Sequence, residues 1–449
     1  MKSSSQASAA AAIVALAHLA AAAPAAVEAG AVVPTVHMPV HMKYGQNNKF
    51  ATSLVLPYSD QSIEVCYDLG SPDFFVFSPN ATQNWGCRYL TCQGPCNATV
   101  PEEGTYDPSL SKTATAPRPW ARDYGYGGGL TKWYRANKIV NDTFAFTNHL
   151  NKFSSQVSDV EVALVPYLQQ RTFSAAENSC AEKPKYDYSI LGIAPYFSSP
   201  DPNARNTTGP SFRQNLLDQG RISAPVQSLW MERRPDDVRG TFTGAGLLGG
   251  IDTSKYSGPL VRIPRLKGLG YSLYEYYTHA AKLSFNGVAP IPIDTTSPGV
   301  ETECILDSGG VGDAHNPVDV EAYYNVTGLR LNPSHPTPYQ GNYLSWPGKC
   351  EDIPADHFME YSLVGVREGE TAVVKVPMRN YARFQDPIDE ARGWCTMAIS
   401  LRGCSLNAPF LSAAFFAADD ESGEIAIAQG GVAEQGSGVD NSKVVLRIP

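Results

Sequence analysis

The sequence predicts a mostly β protein of two pseudo-symmetric lobes, and three observations carry that expectation. The chain has 449 residues, more than one ordinary hydrophobic core serves, with 38 Gly and 34 Pro to turn it. Short alternating runs such as FATSLVLPY, QSIEVCYDL, GEIAIAQ and KVVLRIP recur, each bounded by Gly, Pro, Asp or Asn. An apolar strand running into Asp-x-Gly occurs twice, at Asp68 in EVCYDLGSPDFFVFS and at Asp307 in CILDSGG.

In chain order, residues 1–26 read as a signal peptide: Lys2, a short Ala-rich apolar run, then small residues. Residues 27–262 form the first lobe, which closes after LLGGIDTSKYSGPL, and residues 263–449 form the second. Convincing amphipathic stretches are few, SFRQNLLDQG and VDVEAYYNVTG being the best, so strands dominate. No apolar tail closes the chain, and the expected product is a secreted, extracellular monomer.

The net charge of −9, with no basic run, excludes nucleic acid and anionic membrane as partners. Sequons at Asn80, Asn97, Asn141, Asn206 and Asn325 fit a glycosylated export product. Nine cysteines in an exported chain imply disulfides with one thiol left over. Cys87, Cys92 and Cys96 read as a disulfide-closed loop, since no companion ligand lies at zinc-like spacing. In the second half Cys350 is expected to join Cys395 or Cys404. His37 and His41 lack a carboxylate or thiol partner in sequence, so neither a metal nor a cofactor is expected.

A single Asp-x-Gly turn is commonly just a β-turn; two, each following an apolar strand early in its lobe, suggest a pair of carboxyls meeting at a junction. Such a pair shares a proton, the ionised member activating water as general base and the protonated member polarising a carbonyl. Gly70 and Gly309 let the backbones approach, and neighbouring hydroxyls orient the carboxyls. Neither H-E-x-x-H nor G-x-S-x-G occurs. A glycosidase also uses two carboxyls, and spacing in sequence leaves that alternative open.

Over most of the chain after residue 26 these stretches resemble the pepsin-like aspartic proteases, secreted fungal ones in particular. The resemblance runs through Gln61 and Asp68-Leu69-Gly70-Ser71 with FFVFS, then DYGYGGG, YSILGIAPYFSS, GLLGGIDTSKYSGPL, ILDSGG and the closing SLNAPFLSAAFFAADDESGEIAIAQ. It implies the bilobal pepsin-like acid protease fold, with Asp68 and Asp307 as the catalytic pair and Ser71 and Ser308 orienting them. It further implies a flap carrying Tyr124 and Gly125 over an extended polypeptide substrate, whose bulky apolar side chains meet Tyr126 and Phe75.

The departures matter to activity. Leu69 stands where the family has a hydroxyl that braces the opposite loop, while Ser308 keeps its own. Gly310 lacks the hydroxyl that would buttress its Asp, while Ser71 keeps it. Phe75 replaces a tryptophan whose ring N–H supports the flap tyrosine, which predicts a looser Tyr124. Asn407 replaces a glycine, and Asn tolerates left-handed backbone. These changes set a second reading beside the endopeptidase: a binding protein on a disabled protease scaffold, resembling plant xylanase inhibitors.

Overall fold

The computed structural model describes residues 34–449 except 44–48, 90–91, 128–130, 149–153, 155, 173–177, 182, 184–187, 196–210, 236–240, 267–274, 298–301, 332–343, 384–392 and 402. The signal peptide assigned to residues 1–26 and the sequon at Asn206 lie outside the described residues.

The described chain is mostly strand with few helices, the bilobal pepsin-like architecture. A 14-stranded sheet holds most of the first half. At one end the late strands Ala414–Asp419 and Glu424–Gln429 enter it, pairing with Val226–Met231 and Ser257–Ile263. The end of the chain therefore returns to the sheet begun by Val36–Met42, and the boundary expected at 262/263 falls within Ser257–Ile263. The second half adds smaller sheets, of which the pair Phe358–Val364 and Thr371–Pro377 shows the local logic. In TAVVKVP, Ala372, Val374 and Val376 are buried while Thr371, Val373 and Lys375 face out, as the two-residue period of a strand requires.

Both predicted helices form. Phe212–Asp218 starts at Ser211, whose hydroxyl accepts from the Gln214 N–H. Val320–Thr327 starts at Asp319, which accepts from Ala322 N–H, and ends at Gly328 in a left-handed conformation (φ 74°). Of the predicted strands, KVVLRIP is reduced to Val444–Val445. Beyond it the chain turns to bury Ile448 and to pair Arg447 with Asp419 and Glu421.

Four disulfides staple the fold: Cys87–Cys92, Cys96–Cys180, Cys304–Cys404 and Cys350–Cys395. The expectation for Cys350 resolves to Cys395, and Cys404 goes instead to Cys304. Only Cys87 and Cys92 close a local loop; Cys96 reaches Cys180. The ninth cysteine, Cys66, is buried in the strand that carries Asp68.

A nearly buried ionic cluster joins the halves behind the two Asp turns. Asp420 accepts from Arg213 at 2.7 Å and from Arg265 at 3.1 Å, and the Tyr276 hydroxyl lies 3.1 Å away. Arg213 also donates to the Ile193 carbonyl, and Gln227 donates to the Tyr276 hydroxyl at 2.6 Å.

Candidate active site

Each Asp turn is built in the same way. Strand Ser62–Asp68 runs parallel to Ser189–Gly192, with Asp68 opposite Gly192, and the Ile193 N–H donates to the Asp68 carbonyl at 2.9 Å. Strand Glu303–Leu306 runs parallel to Ser405–Leu406, and the Asp307 N–H donates to the Leu406 carbonyl at 3.1 Å. Apolar strands held from both sides thus carry each Asp to a fixed point.

The two carboxyls meet. A methyl group added at Gly70 would lie 2.7 Å from the Asp307 carboxyl, and one at Gly309 would lie 2.6 Å from Asp68 Oδ1. Each carboxyl therefore occupies the space that the opposite glycine leaves free. Asp68 is 4% exposed; burial first, and then the charge of Asp307 beside it, hold its carboxyl well above the ordinary range. Asp68 therefore keeps its proton in acid.

The hydrogen bonds around the dyad are unequal. Asp68 Oδ1 accepts from the Gly70 N–H at 2.9 Å and Oδ2 from the Ser71 hydroxyl at 2.7 Å. Asp307 Oδ1 accepts from the Gly309 N–H at 2.7 Å. Across the junction the Leu69 N–H donates to Ser308 Oγ at 2.9 Å, and Ser308 donates to the Tyr67 carbonyl. The Leu69 side chain is fully buried in the hydrophobic core.

Gly310 and Asn407 are two departures with one cause. In the first turn Ser71 has a side chain and Gly192 cannot, because a methyl there would lie 2.4 Å from the Asp73 nitrogen. In the second turn the roles reverse: a methyl at Gly310 would lie 2.4 Å from Asn407 Cγ. Asn407 donates to Ser405 Oγ and the Gly312 carbonyl, in extended rather than left-handed backbone (φ −100°). Gly310→Ser alone is therefore expected to destabilise by about 1–3 kcal/mol through overpacking. Adding Asn407→Gly should recover most of that loss and restore a hydroxyl beside Asp307. Urea unfolding of the two single variants and the double tests this, and additive effects would refute it.

The flap hairpin pairs Arg118–Tyr126 with Lys132–Thr147, placing Tyr124 opposite Tyr134 and Gly125 opposite Trp133. Tyr124 is not loose. Its ring stacks on Phe75 at 5.1 Å and 13° and is 2% exposed, with Trp120 and Tyr134 in the same cluster. Flat aromatic packing thus does what the missing indole donor was expected to do. Tyr126, rather than Tyr124, reaches the Asp68 turn, its hydroxyl 3.0 Å from Ser71 Oγ and 3.1 Å from Asp73 Oδ2.

Asp73, Glu275 and Asp313 are carboxyls near the site that sequence reasoning passed over. Glu275 is raised to about 7, chiefly by burial and to a smaller degree by the charge of Asp307. Asp313, on the continuation of the second Asp turn, is fully buried and raised by that burial to about 7. Its Oδ1 accepts from the Asn407 N–H at 2.7 Å and its Oδ2 from the Tyr361 hydroxyl at 3.1 Å. Tyr361 also meets Tyr381 at 2.7 Å and His315 at 3.3 Å. Burial pushes His315 down to about 4, so it stays neutral. The signal available for Asp313 was its place in DSGGVGDAH, six residues beyond Asp307 in the same turn region.

A carboxyl raised in the fold contributes stability below its unfolded value, and that stability is lost as pH climbs through the folded value. For Asp313 the window runs from about 4 to about 7. Asp313→Asn should stabilise the protein at pH 8 by about 2–4 kcal/mol while leaving it nearly unchanged at pH 4. Urea unfolding at both pH values measures this; equal effects at the two would contradict the assignment.

The remaining predicted sites are placed as follows. Asn80, Asn97 and Asn325 are exposed. Asn141 is half-buried and its Nδ2, the atom a glycan would need, donates to Asp159 at 2.8 Å. His37 and His41 lie in strand Val36–Met42, with His41 3.6 Å from Glu64. Among the described residues no cluster of His, Cys, Asp or Glu is arranged to hold a metal ion, and no helix is long and apolar enough to cross a membrane.

A family model described as eukaryotic aspartyl protease matches residues 49–430. Candidapepsin of Candida tropicalis is 24% identical over 264 residues, 58% of this chain and 52% of that protein. Candidapepsin-3 of Candida albicans is 26% identical over 217 residues, covering 48% and 44%. Pepsin B of Canis lupus familiaris is 25% identical over 207 residues, covering 45% and 41%. The chain thus spans between 41% and 52% of the length of these relatives. The match to the family model takes in both Asp turns, the flap between them and the strands that back them, and on that match the chain belongs to the eukaryotic aspartyl protease family.

Proposed function

We propose that the protein is a secreted aspartic endopeptidase that hydrolyses peptide bonds in acid, with Asp68 and Asp307 as the general acid/base pair. One observation carries the reading: two carboxyls, each seated against the other turn's glycine, share one partly enclosed site. A scaffold relieved of catalysis gains nothing by burying Asp68 against a second carboxyl, the half-buried Asp307.

In this mechanism the dyad holds one proton. The ionised carboxyl takes a proton from a water between the two as that water attacks the peptide carbonyl, and the other carboxyl donates to the carbonyl oxygen. The collapse of the tetrahedral species returns a proton to the leaving amine, and no covalent intermediate forms. Ser71, Gly70 and Gly309 fix the carboxyl planes, while Ser308 ties the two turns together. The single cross-brace through Ser308 holds the junction that two would hold in the family pattern. Phe75, Tyr124 and Tyr134 are buried behind the flap strand, which leaves the partly exposed Tyr126 ring to meet bulky side chains of an extended polypeptide.

The test is cleavage of casein by the expressed mature chain between about pH 3 and 5, where such a dyad keeps one proton, with and without pepstatin and beside an Asp307→Asn control. Pepstatin-sensitive cleavage lost in the control is expected. No acid cleavage at all would sink the endopeptidase reading and favour a binding protein.

A further inference from the structure

Beside the flap, four polar side chains stand in one continuous row: Asp73, Tyr126, Ser71 and Asp68. Tyr126 Oη is 3.1 Å from Asp73 Oδ2 and 3.0 Å from Ser71 Oγ, and Ser71 Oγ is 2.7 Å from Asp68 Oδ2. The Tyr126 ring is fixed edge-on against Phe75 at 5.6 Å and Tyr134 at 5.7 Å, so its hydroxyl has one direction to point. Phe75 has no polar atom, and Tyr124 lies flat upon it.

Counting protons fixes the sense of the row. A serine hydroxyl has one hydrogen, and Ser71 gives it to Asp68. Towards Tyr126, Ser71 can then only accept, so the tyrosine must be the donor. Tyr126 also has one hydrogen, which it offers to Ser71 or to Asp73. When Asp73 holds a proton it can itself donate to Tyr126, and all three bonds then point towards Asp68. A hydroxyl that accepts a bond becomes a stronger donor, so with its hydrogen on Ser71 Tyr126 strengthens the grip of Ser71 on the Asp68 carboxylate.

We propose that Tyr126 is a positioning residue for Asp68, acting through Ser71, and that the same hydroxyl ties the flap strand to the Asp68 turn. It rests on reading Asp68 as half of the dyad. The flap strand and the dyad are thereby coupled through the Tyr126 hydroxyl and Ser71.

The test uses the full chain with labelled Asp carboxyl carbons, followed by NMR through a pH titration and assigned with Asp68→Asn. This readout needs no turnover. Tyr126→Phe keeps the ring and removes only the hydroxyl. It should raise the Asp68 titration by about half to one pH unit, the worth of one ordinary hydrogen bond. In a Ser71→Ala background, where the intermediary is gone, Tyr126→Phe should add no further shift. Tyr124→Phe should leave the Asp68 titration where it is. In casein cleavage, Tyr126→Phe should lower kcat by about threefold to tenfold with little change in KM, and the limb of the pH profile belonging to Asp68 should move with the titration. An unmoved Asp68 titration in Tyr126→Phe overturns the proposal, as does an equal shift in the Ser71→Ala background or in Tyr124→Phe. A chain that titrates as expected but cleaves nothing keeps the role of Tyr126 and removes the endopeptidase reading instead.

Discussion

Asp307→Asn will lower kcat/KM for acid cleavage by at least about a thousandfold, the scale of removing an acid/base group that a hydrolytic site depends on. The amide has nearly the shape of the carboxyl, and its oxygen can still accept from the Gly309 N–H, so the second turn should keep its form. It cannot carry the shared proton, and neither role in the cycle can be filled from that side. The variant should fold at least as stably as the parent, because a like charge beside Asp68 has been removed. For the same reason the Asp68 titration should fall, while burial, the larger cause, keeps it above an ordinary carboxyl. Pepstatin-sensitive turnover measured with the purified variant decides the matter; more than a tenth of the parental activity would remove Asp307 from the mechanism.

Asp420→Ala will destabilise the protein by about 3–5 kcal/mol, the usual cost of leaving buried charge without its partner. Arg213 and Arg265 are 4% and 3% exposed, and both turn to Asp420 for their counter-charge. The damage should reach the active site. Arg213 holds the Ile193 carbonyl, and the Ile193 N–H holds the Asp68 carbonyl. On the other side Tyr276 bonds Asp420, and its carbonyl accepts from the Leu306 N–H beside Asp307. Urea unfolding gives the stability change, and Asp420→Asn, which keeps the shape without the charge, should cost less. A loss under about 1 kcal/mol would show that water or neighbouring dipoles already satisfy the guanidinium groups.

Much of this was legible in the sequence because it is local. Alternation in FATSLV and SIEVCYD specifies strands, Ser211 and Asp319 specify helix starts, and two strand–Asp–x–Gly stretches specify two equivalent turns. Ser308 was identified as the surviving cross-brace and Ser71 as the surviving buttress, and both hydroxyls make those bonds.

What escaped depends on which side chains meet across long separations. The looseness expected of Tyr124 followed from counting a missing donor, but the flat stack on Phe75 supplies packing that no spacing reveals. Choosing between Tyr124 and Tyr126 requires knowing which face of the flap strand looks at the Asp68 turn. Gly310 and Asn407 read as separate losses until the structure places them in one volume, where only one side chain fits. Cys96 finding Cys180 and Cys404 finding Cys304 are likewise matters of where distant loops arrive. The sequence by itself determined most of the strands and the two turns with the carboxyl each carries, since backbone periodicity and turn chemistry act over a few residues. Only the tertiary structure decided how the carboxyls are braced, because bracing depends on hydrogen bonds and excluded volume between residues as far apart as Leu69 and Ser308.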